Sequence, residues 1–182
     1  MNNLTKTPTL CLDNTMYRLS YKYLCIRVHK WYNIYDTILH GRTISMAVIS
    51  EIIRAEADNT LSFGNYAVVE KQKSNDFKFN GHTYKVKTHN ELTRLERDDQ
   101  MVLETVPGTA IHNFADSGEV LEFSAEGMGS TQLTFGLAPE TEYNIFVDGE
   151  LVGMAASSLS GKVSFGAELE PESLFHIKIE KV

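Results

Sequence analysis

Residues 77–87 are Phe-Lys-Phe-Asn-Gly-His-Thr-Tyr-Lys-Val-Lys, and this stretch decides the fold class. Asn80-Gly81 stands between two runs in which apolar and polar residues alternate. Alternation with period two is typical of a half-buried β-strand, and Asn-Gly favours a turn whose two central residues both have positive φ. The stretch therefore predicts a β-hairpin.

A second hairpin is predicted directly downstream. Leu92 to Arg97 forms one alternating run and residues 101–106 form another, with Asp98-Asp99-Gln100 between them. Pro107-Gly108 follows the second run, and such residues end strands. The two hairpins together predict a β-hairpin module.

A helical pattern precedes these hairpins. In residues 46–56, Val48, Ile52 and Ala55 recur at helical spacing. We therefore expect a short N-terminal helix before the first strand.

Alternation continues to the end of the chain. Further runs with one apolar and one polar face occupy residues 121–126, 133–137, 143–147, 163–169 and 175–180. One buried and one solvated face is typical of antiparallel sheets. Short strands at this spacing, separated by turn residues such as Asp148-Gly149, predict an all-β sandwich or barrel.

Residues 137–143, Leu-Ala-Pro-Glu-Thr-Glu-Tyr, refine this prediction. They resemble the L-x-P-x-T-x-Y segment of fibronectin type III domains, in which the chain crosses between sheets and the Tyr hydroxyl bonds to upstream backbone. The resemblance implies an immunoglobulin- or fibronectin-like antiparallel β-sandwich over residues 109–182. It also implies a structural role for Tyr143. The helix and hairpin module then occupies residues 46–108.

Charge and composition divide the chain at Met46. Residues 1–45 carry 6 Lys and Arg against 2 Asp, a net charge of +4, whereas residues 46–182 carry 11 against 22, a net charge of −11. The first segment is a basic arm, a small structural extension, or sequence upstream of a true initiator at Met46. Its lack of Glu and scarcity of Gly favour the third interpretation.

Composition also excludes several classes of function. The formal net charge of −7 argues against nucleic acid, because such binding depends on Lys and Arg at phosphates. No apolar run approaches the roughly 20 residues that span a bilayer, and no signal peptide precedes the domain, so we expect a cytoplasmic protein without a membrane partner. Residues 46–182 contain no Cys and no metal-ligand spacing of His, so we expect no metal or cofactor.

The candidate catalytic groups lie in and beside the second hairpin. Glu91, Glu96 and Glu104 offer a general acid and base, with Arg94 and Arg97 beside them. On alternating strands, however, the same residues form a solvated face of cross-strand charge pairs. We regard that face as the simpler interpretation.

Several phrases beyond Met46 resemble a family of short bacterial proteins labelled endosialidase. The matching phrases are residues 53–66, 84–88, 104–110, 113–114, 141–153 and 159–162. The resemblance implies an endosialidase-like glycoside hydrolase. Against that activity, the chain lacks the S-x-D-x-G-x-x-W box of sialidases, and only Arg54, Arg94 and Arg97 are available beyond Met46 to hold a carboxylate.

A clear fold pattern without a catalytic constellation favours a non-catalytic binding or assembly module with a protein or carbohydrate partner. The alternatives are the endosialidase-like hydrolase and a carbohydrate-binding module, in which an exposed aromatic such as Phe146 stacks on sugar rings. A cleft with two carboxylates roughly 5–10 Å apart beside an arginine would favour the enzyme. A self-complementary apolar patch would favour a homo-oligomer.

Overall fold

Thirteen β-strands build the part of the chain that the computed structural model describes, residues 49–182. In chain order, β1 to β13 are Ile53–Ala55, Leu61–Phe63, Gln72–Phe79, His82–His89, Leu92–Arg97, Gln100–Val106, Thr109–Asp116, Val120–Gly127, Gly129–Gly136, Glu142–Val147, Glu150–Ala156, Lys162–Leu169 and Phe175–Lys181. The prediction of an all-β protein is confirmed for these residues. They contain no helix able to cross a membrane. The predicted extension, residues 1–45, lies outside the described residues.

All strand pairs are antiparallel, and they form two sheets. The strand order is β1-β2-β7-β8-β13-β10-β11 in the seven-stranded sheet and β12-β9-β6-β5-β4-β3 in the six-stranded sheet. One buried apolar cluster contains side chains of both sheets, so the sheets form a sandwich. The segments 46–108 and 109–182 are interleaved, because β2 pairs with β7 and β6 pairs with β9. Met46–Val182 is accordingly one compact unit.

Phenylalanine rings connect the sheets through the core. Phe63, Phe114 and Phe123 lie on the seven-stranded sheet, and Phe135 and Phe165 lie on the six-stranded sheet. Neighbouring rings in this series have centroids between 5.6 and 6.0 Å apart. These distances are typical of favourable aromatic pairs, which add to the burial of the rings themselves.

The predicted hairpins are present. Asn80-Gly81 joins β3 to β4, Asp98-Asp99 joins β5 to β6, and Asp148-Gly149 joins β10 to β11. All six residues have positive φ, between +49° and +82°, as a two-residue hairpin turn of this type requires. The second turn is one residue shorter than predicted, because β6 already begins at Gln100.

The helix predicted over residues 46–56 is wrong where the structure describes it, from residue 49 onward. Residues 50–52 form bends, and Ile53–Ala55 is strand β1. Ile53 pairs with Phe63 and is buried, so pairing with β2 overrides a weak helical pattern. Short apolar runs do not distinguish helix from strand by spacing alone.

The contact predicted for Tyr143 is present at the β9–β10 connection. The backbone N–H of Ala138 donates a hydrogen bond to the Tyr143 hydroxyl at 3.1 Å. Between these residues the chain passes from the six-stranded to the seven-stranded sheet. The Ser157 hydroxyl accepts the Thr141 N–H and donates to the Ala138 carbonyl, so the corner's backbone groups are satisfied. Tyr143 is therefore a structural residue.

Four fully buried threonines join the sheets where the chain crosses from β6 to β7. The Thr93 hydroxyl donates to the Thr109 carbonyl at 2.9 Å and accepts the Thr109 N–H at 3.1 Å. Its oxygen also lies 2.9 Å from the Thr88 hydroxyl, and the Thr105 and Thr109 hydroxyls are 2.9 Å apart. These contacts satisfy polar backbone that no water reaches.

We expect Thr93→Val to lower the free energy of unfolding by about 3 kcal/mol, because the near-isosteric change leaves the buried Thr109 N–H and carbonyl without their partner. Urea unfolding followed by circular dichroism measures the loss. Thr134→Val is the matched control, since Thr134 shares its hydroxyl contact with Ser164 on the exposed face, and we expect a change of about 0.5 kcal/mol or less. Equal effects of the two substitutions would contradict a special role for Thr93.

Candidate functional site

Three of the five predicted candidates lie together on the outer face of the six-stranded sheet. Arg94 Nη1 is 3.3 Å from Glu104 Oε2, and Arg94 Nε is 2.9 Å from Glu96 Oε1. The Nε contact is an ion pair by distance but does not have hydrogen-bond geometry. Each glutamate therefore faces the same guanidinium.

The other two candidates lie elsewhere. Arg97 is three residues beyond Arg94 on β5 and so points to the opposite face of the sheet, where its Nη1 is 2.9 Å from Asp116 Oδ2. Glu91 is exposed in the β4–β5 turn, and its N–H donates to His89 Nδ1 at 3.4 Å. The five predicted residues thus occupy three separate places.

Arg97 lines a cleft at one end of the sandwich, with a volume of about 440 Å³. We call it the end cleft. It opens between β2, β7 and β8 of one sheet and β3, β4 and β5 of the other. Phe79 and Tyr84 supply aromatic walls, with ring centroids 6.3 Å apart, and Asn80 and Asp116 supply polar groups. This volume suits a small ligand.

Two carboxylates line the end cleft, and each has a basic partner. Asp116, whose side chain is only 12% exposed, is paired with Arg97. Glu122 lies 2.8 Å from Nε2 of His176 on the neighbouring strand. Leu121, opposite Asp116, is buried in the core, so alternation directs Asp116 inward and Glu122 outward. The cleft therefore presents no pair of carboxylates aimed at one point.

No sequence motif identifies Phe79, Tyr84 or Asp116 as a candidate site residue. Two of them belong to the first hairpin, whose alternation already indicated which side chains share a face. Asp116 meets Arg97 only because β7 of one sheet packs over β5 of the other. A local sequence pattern does not predict a contact between strands of different sheets.

Lys178 covers one face of the Phe146 ring. It is half-buried on β10 and lies directly opposite Lys178 on β13. The Lys178 ammonium is 5.4 Å from the ring centroid, a cation–π distance. A sugar would have to displace Lys178 in order to stack there.

A second group of polar side chains is buried on the seven-stranded sheet. Glu126 is fully buried, and its Oε1 lies 3.1 Å from His112 Nε2. Its Oε2 accepts hydrogen bonds from the Tyr66 hydroxyl and the Glu172 N–H. Burial, followed by the nearby Glu126 charge, raises the pKa of Tyr66. Both carboxylate oxygens of Glu126 therefore have partners within this network.

Comparison with known proteins assigns no family to this chain. The described residues also offer no evident metal centre. No family model, curated protein or solved structure matches the chain. Within residues 49–182, no group of three or more His, Asp or Glu side chains is arranged to hold a metal ion.

Asp98 holds the rim of the end cleft and makes stability depend on pH. Its Oδ1 accepts the Thr83 N–H at 3.0 Å and its Oδ2 lies 2.5 Å from Nδ1 of His82, a cleft residue. The hydrogen bond from Thr83, and then that from His82, lowers the pKa of Asp98. A carboxyl with a lowered pKa in the folded state stabilises the fold above its unfolded pKa of about 3.9. That stabilisation is lost as the pH falls through the folded value.

We therefore expect Asp98→Asn to reduce the free energy of unfolding at pH 6 and to have a smaller effect at pH 3, which lies below the unfolded pKa, so that part of the stabilisation by the carboxylate is already lost. Urea unfolding across this pH range measures the difference. Glu150→Gln is the control, because this exposed carboxylate accepts no hydrogen bond among the described residues. A pH-independent effect of Asp98→Asn would contradict the assignment.

Proposed function

We propose that this protein is a non-catalytic binding module whose end cleft takes a neutral saccharide. One observation carries the proposal: the Arg97–Asp116 pair, at 2.9 Å, lies in the same 440 Å³ cleft as Phe79 and Tyr84. An ion pair joined in this way has little net charge but keeps unused donors on the guanidinium and lone pairs on the carboxylate. It suits a neutral ligand with many hydroxyl groups.

Aromatic rings complete the chemistry that a saccharide needs. A sugar ring has an apolar C–H face, which packs on aromatic side chains, and an edge of hydroxyls that both donate and accept hydrogen bonds. Asn59 and Asn80 add amide donors and acceptors around the end cleft. Few polar groups placed in a partly aromatic concavity are typical of small-ligand sites.

The paired carboxylates favour binding over hydrolysis. A glycosidase needs one carboxyl that is protonated and a second that is free to attack or to activate water. Glu96 and Glu104 share Arg94, and Asp116 is held by Arg97. The endosialidase-like hydrolase is the rival proposal, and release of oligomers from polysialic acid by the purified protein would overturn ours.

Binding is tested by saturation-transfer NMR and calorimetry with maltose, cellobiose and lactose. The double substitution Arg97→Gln with Asp116→Asn removes both charges and keeps polar side chains, and we expect at least about tenfold weaker binding because charged hydrogen bonds are the stronger ones. The control is Arg94→Gln with Glu104→Gln, the corresponding pair on the outer face, which should leave affinity unchanged. Equal loss in both variants, or no saccharide binding by the wild type, would refute the proposal.

Self-assembly is the second candidate, and edge strand β11 favours it. Leu151, Val152 and Met154 are each more than half exposed, and residues 151–156 contain no charge or proline. Natural edge strands are usually protected by charged residues or proline, since their unpaired backbone groups can otherwise pair with another strand. We propose that β11 pairs with β11 of a second copy. Light scattering should then show a dimer that Val152→Lys converts to a monomer, and a monomeric wild type would refute it.

The fold family of the C-terminal part of the chain is also a proposal. We infer that residues 109–182 are related to immunoglobulin- or fibronectin-like sandwiches. The hydrogen bond from the Ala138 N–H to the Tyr143 hydroxyl, made where the chain crosses between sheets, supports this relationship.

A further inference from the structure

The outer face of the six-stranded sheet carries a concentration of positive charge. A groove of about 300 Å³ is lined by Lys71, Lys73, Lys85, Lys87 and Arg94, with Asn75 and Glu96 beside them. We call it the cationic groove. Residues 46–182 contain 11 Lys and Arg, so five of these 11 line one groove in a segment with net charge −11.

Three of these cations are direct neighbours across strands. Lys73 on β3 pairs with Lys87 on β4, and Lys87 pairs with Arg94 on β5. Side chains of residues directly opposite each other lie on the same face, and like charges in such positions destabilise a sheet. The sheet thus carries a row of repulsive pairs that a neutral or acidic replacement would remove.

Nearby carboxylates compensate only part of this charge. Lys85 forms an ion pair with Asp99, and Arg94 faces Glu96 and Glu104. Within the described residues, Lys71, Lys73 and Lys87 have no ion pair to a carboxylate. The contact with the Lys87 amine, by hydrogen bonding and then by like charge, lowers the pKa of Lys71. Three amines therefore face the groove without a counter-charge.

We propose that the cationic groove binds a compact, multiply charged oxyanion of the phosphate or sulfate type. Such an anion accepts hydrogen bonds on several oxygens at once, and charge-assisted bonds to amines are the strong ones. The row from Lys73 to Arg94 covers two strand spacings, about 10 Å, which suits one oxyanion group. Glu96 and Glu104 border the row, and they would repel an extended polyanion such as nucleic acid.

The cationic groove is independent of the end cleft. Arg94 and Lys87 point away from the core, whereas Arg97 and Tyr84 point toward the end cleft on the other face of the same sheet. Loss of saccharide binding would leave this proposal intact. The oxyanion is either a free ion or an ester group on a larger molecule, and the two sources are separable by experiment.

The test is calorimetric titration of the full chain with sodium phosphate, sodium sulfate and glycerol phosphate at low ionic strength, because exposed charges are screened by salt. We expect saturable binding, and about tenfold weaker binding in Lys87→Gln. Tighter binding of glycerol phosphate than of phosphate would identify an ester group, and the reverse order would identify the free ion. Sodium chloride at matched ionic strength sets the level of nonspecific response.

A second readout separates a binding role from a structural one. Without anion, Lys87→Gln should melt at the same or a higher temperature than the wild type, because it removes two repulsive cross-strand pairs. Lys162→Gln makes the same charge change on exposed β12, at the opposite edge of the sheet, and should alter affinity less than about twofold. Absence of saturable anion binding, or an equal loss of anion affinity in Lys87→Gln and Lys162→Gln, would overturn the proposal. Tight binding of single-stranded DNA with no response to phosphate or sulfate would also overturn it.

Discussion

The passage of the chain from β6 to β7 sets the constraint on which the sandwich depends. Over Pro107 and Gly108 the backbone leaves one sheet and enters the other, and Gly108 and Thr109 at the end of this crossing are buried. The Thr93 hydroxyl bonds both the N–H and the carbonyl of Thr109, and the other buried threonines extend this hydrogen-bond network. Space is equally restricted: a side chain on Gly108 would lie 2.0 Å from the His89 carbonyl oxygen, and one on Gly64 would lie 2.5 Å from that of Thr109. Polar satisfaction and close backbone approach together fix how the sheets face each other.

Strand β5 links that constraint to both proposed binding surfaces. Its inward side supplies Thr93 to the network and Leu95 to the core, and Arg97 continues this side to the end cleft. Its outward side supplies Arg94 and Glu96 to the cationic groove. A slip of one residue in the pairing of β5 would exchange the two sets and bury charge in the core. The same register that satisfies the interior therefore determines which ligand chemistry each surface can offer.

Sequence patterns predicted the local features and missed those that depend on distant strands. Asn80-Gly81 and Asp148-Gly149 identify their turns because the required φ angles are a property of the residues themselves. The helix expected near Ile53 fails because β2 is its partner, and the Arg97–Asp116 pair and the Lys73–Lys87–Arg94 row require a known register or sheet packing. Phe146 is half-buried rather than exposed as expected, and Lys178, which lies over its ring, comes from β13, 32 residues later. A sequence pattern therefore predicts a local turn or strand, but it does not predict which side chains of distant strands will lie beside it.

Strand order also has a consequence for synthesis of the protein. Strands β3 to β6 follow one another through three two-residue turns, so this meander can close short loops as soon as it leaves the ribosome. The seven-stranded sheet cannot form in chain order, because β13 lies between β8 and β10. Until residues 175–181 have emerged, β8 and the β10–β11 hairpin each expose an edge that β13 later closes. The seven-stranded sheet therefore stays in two separate parts until β13, the strand that pairs with both of them, has been synthesised.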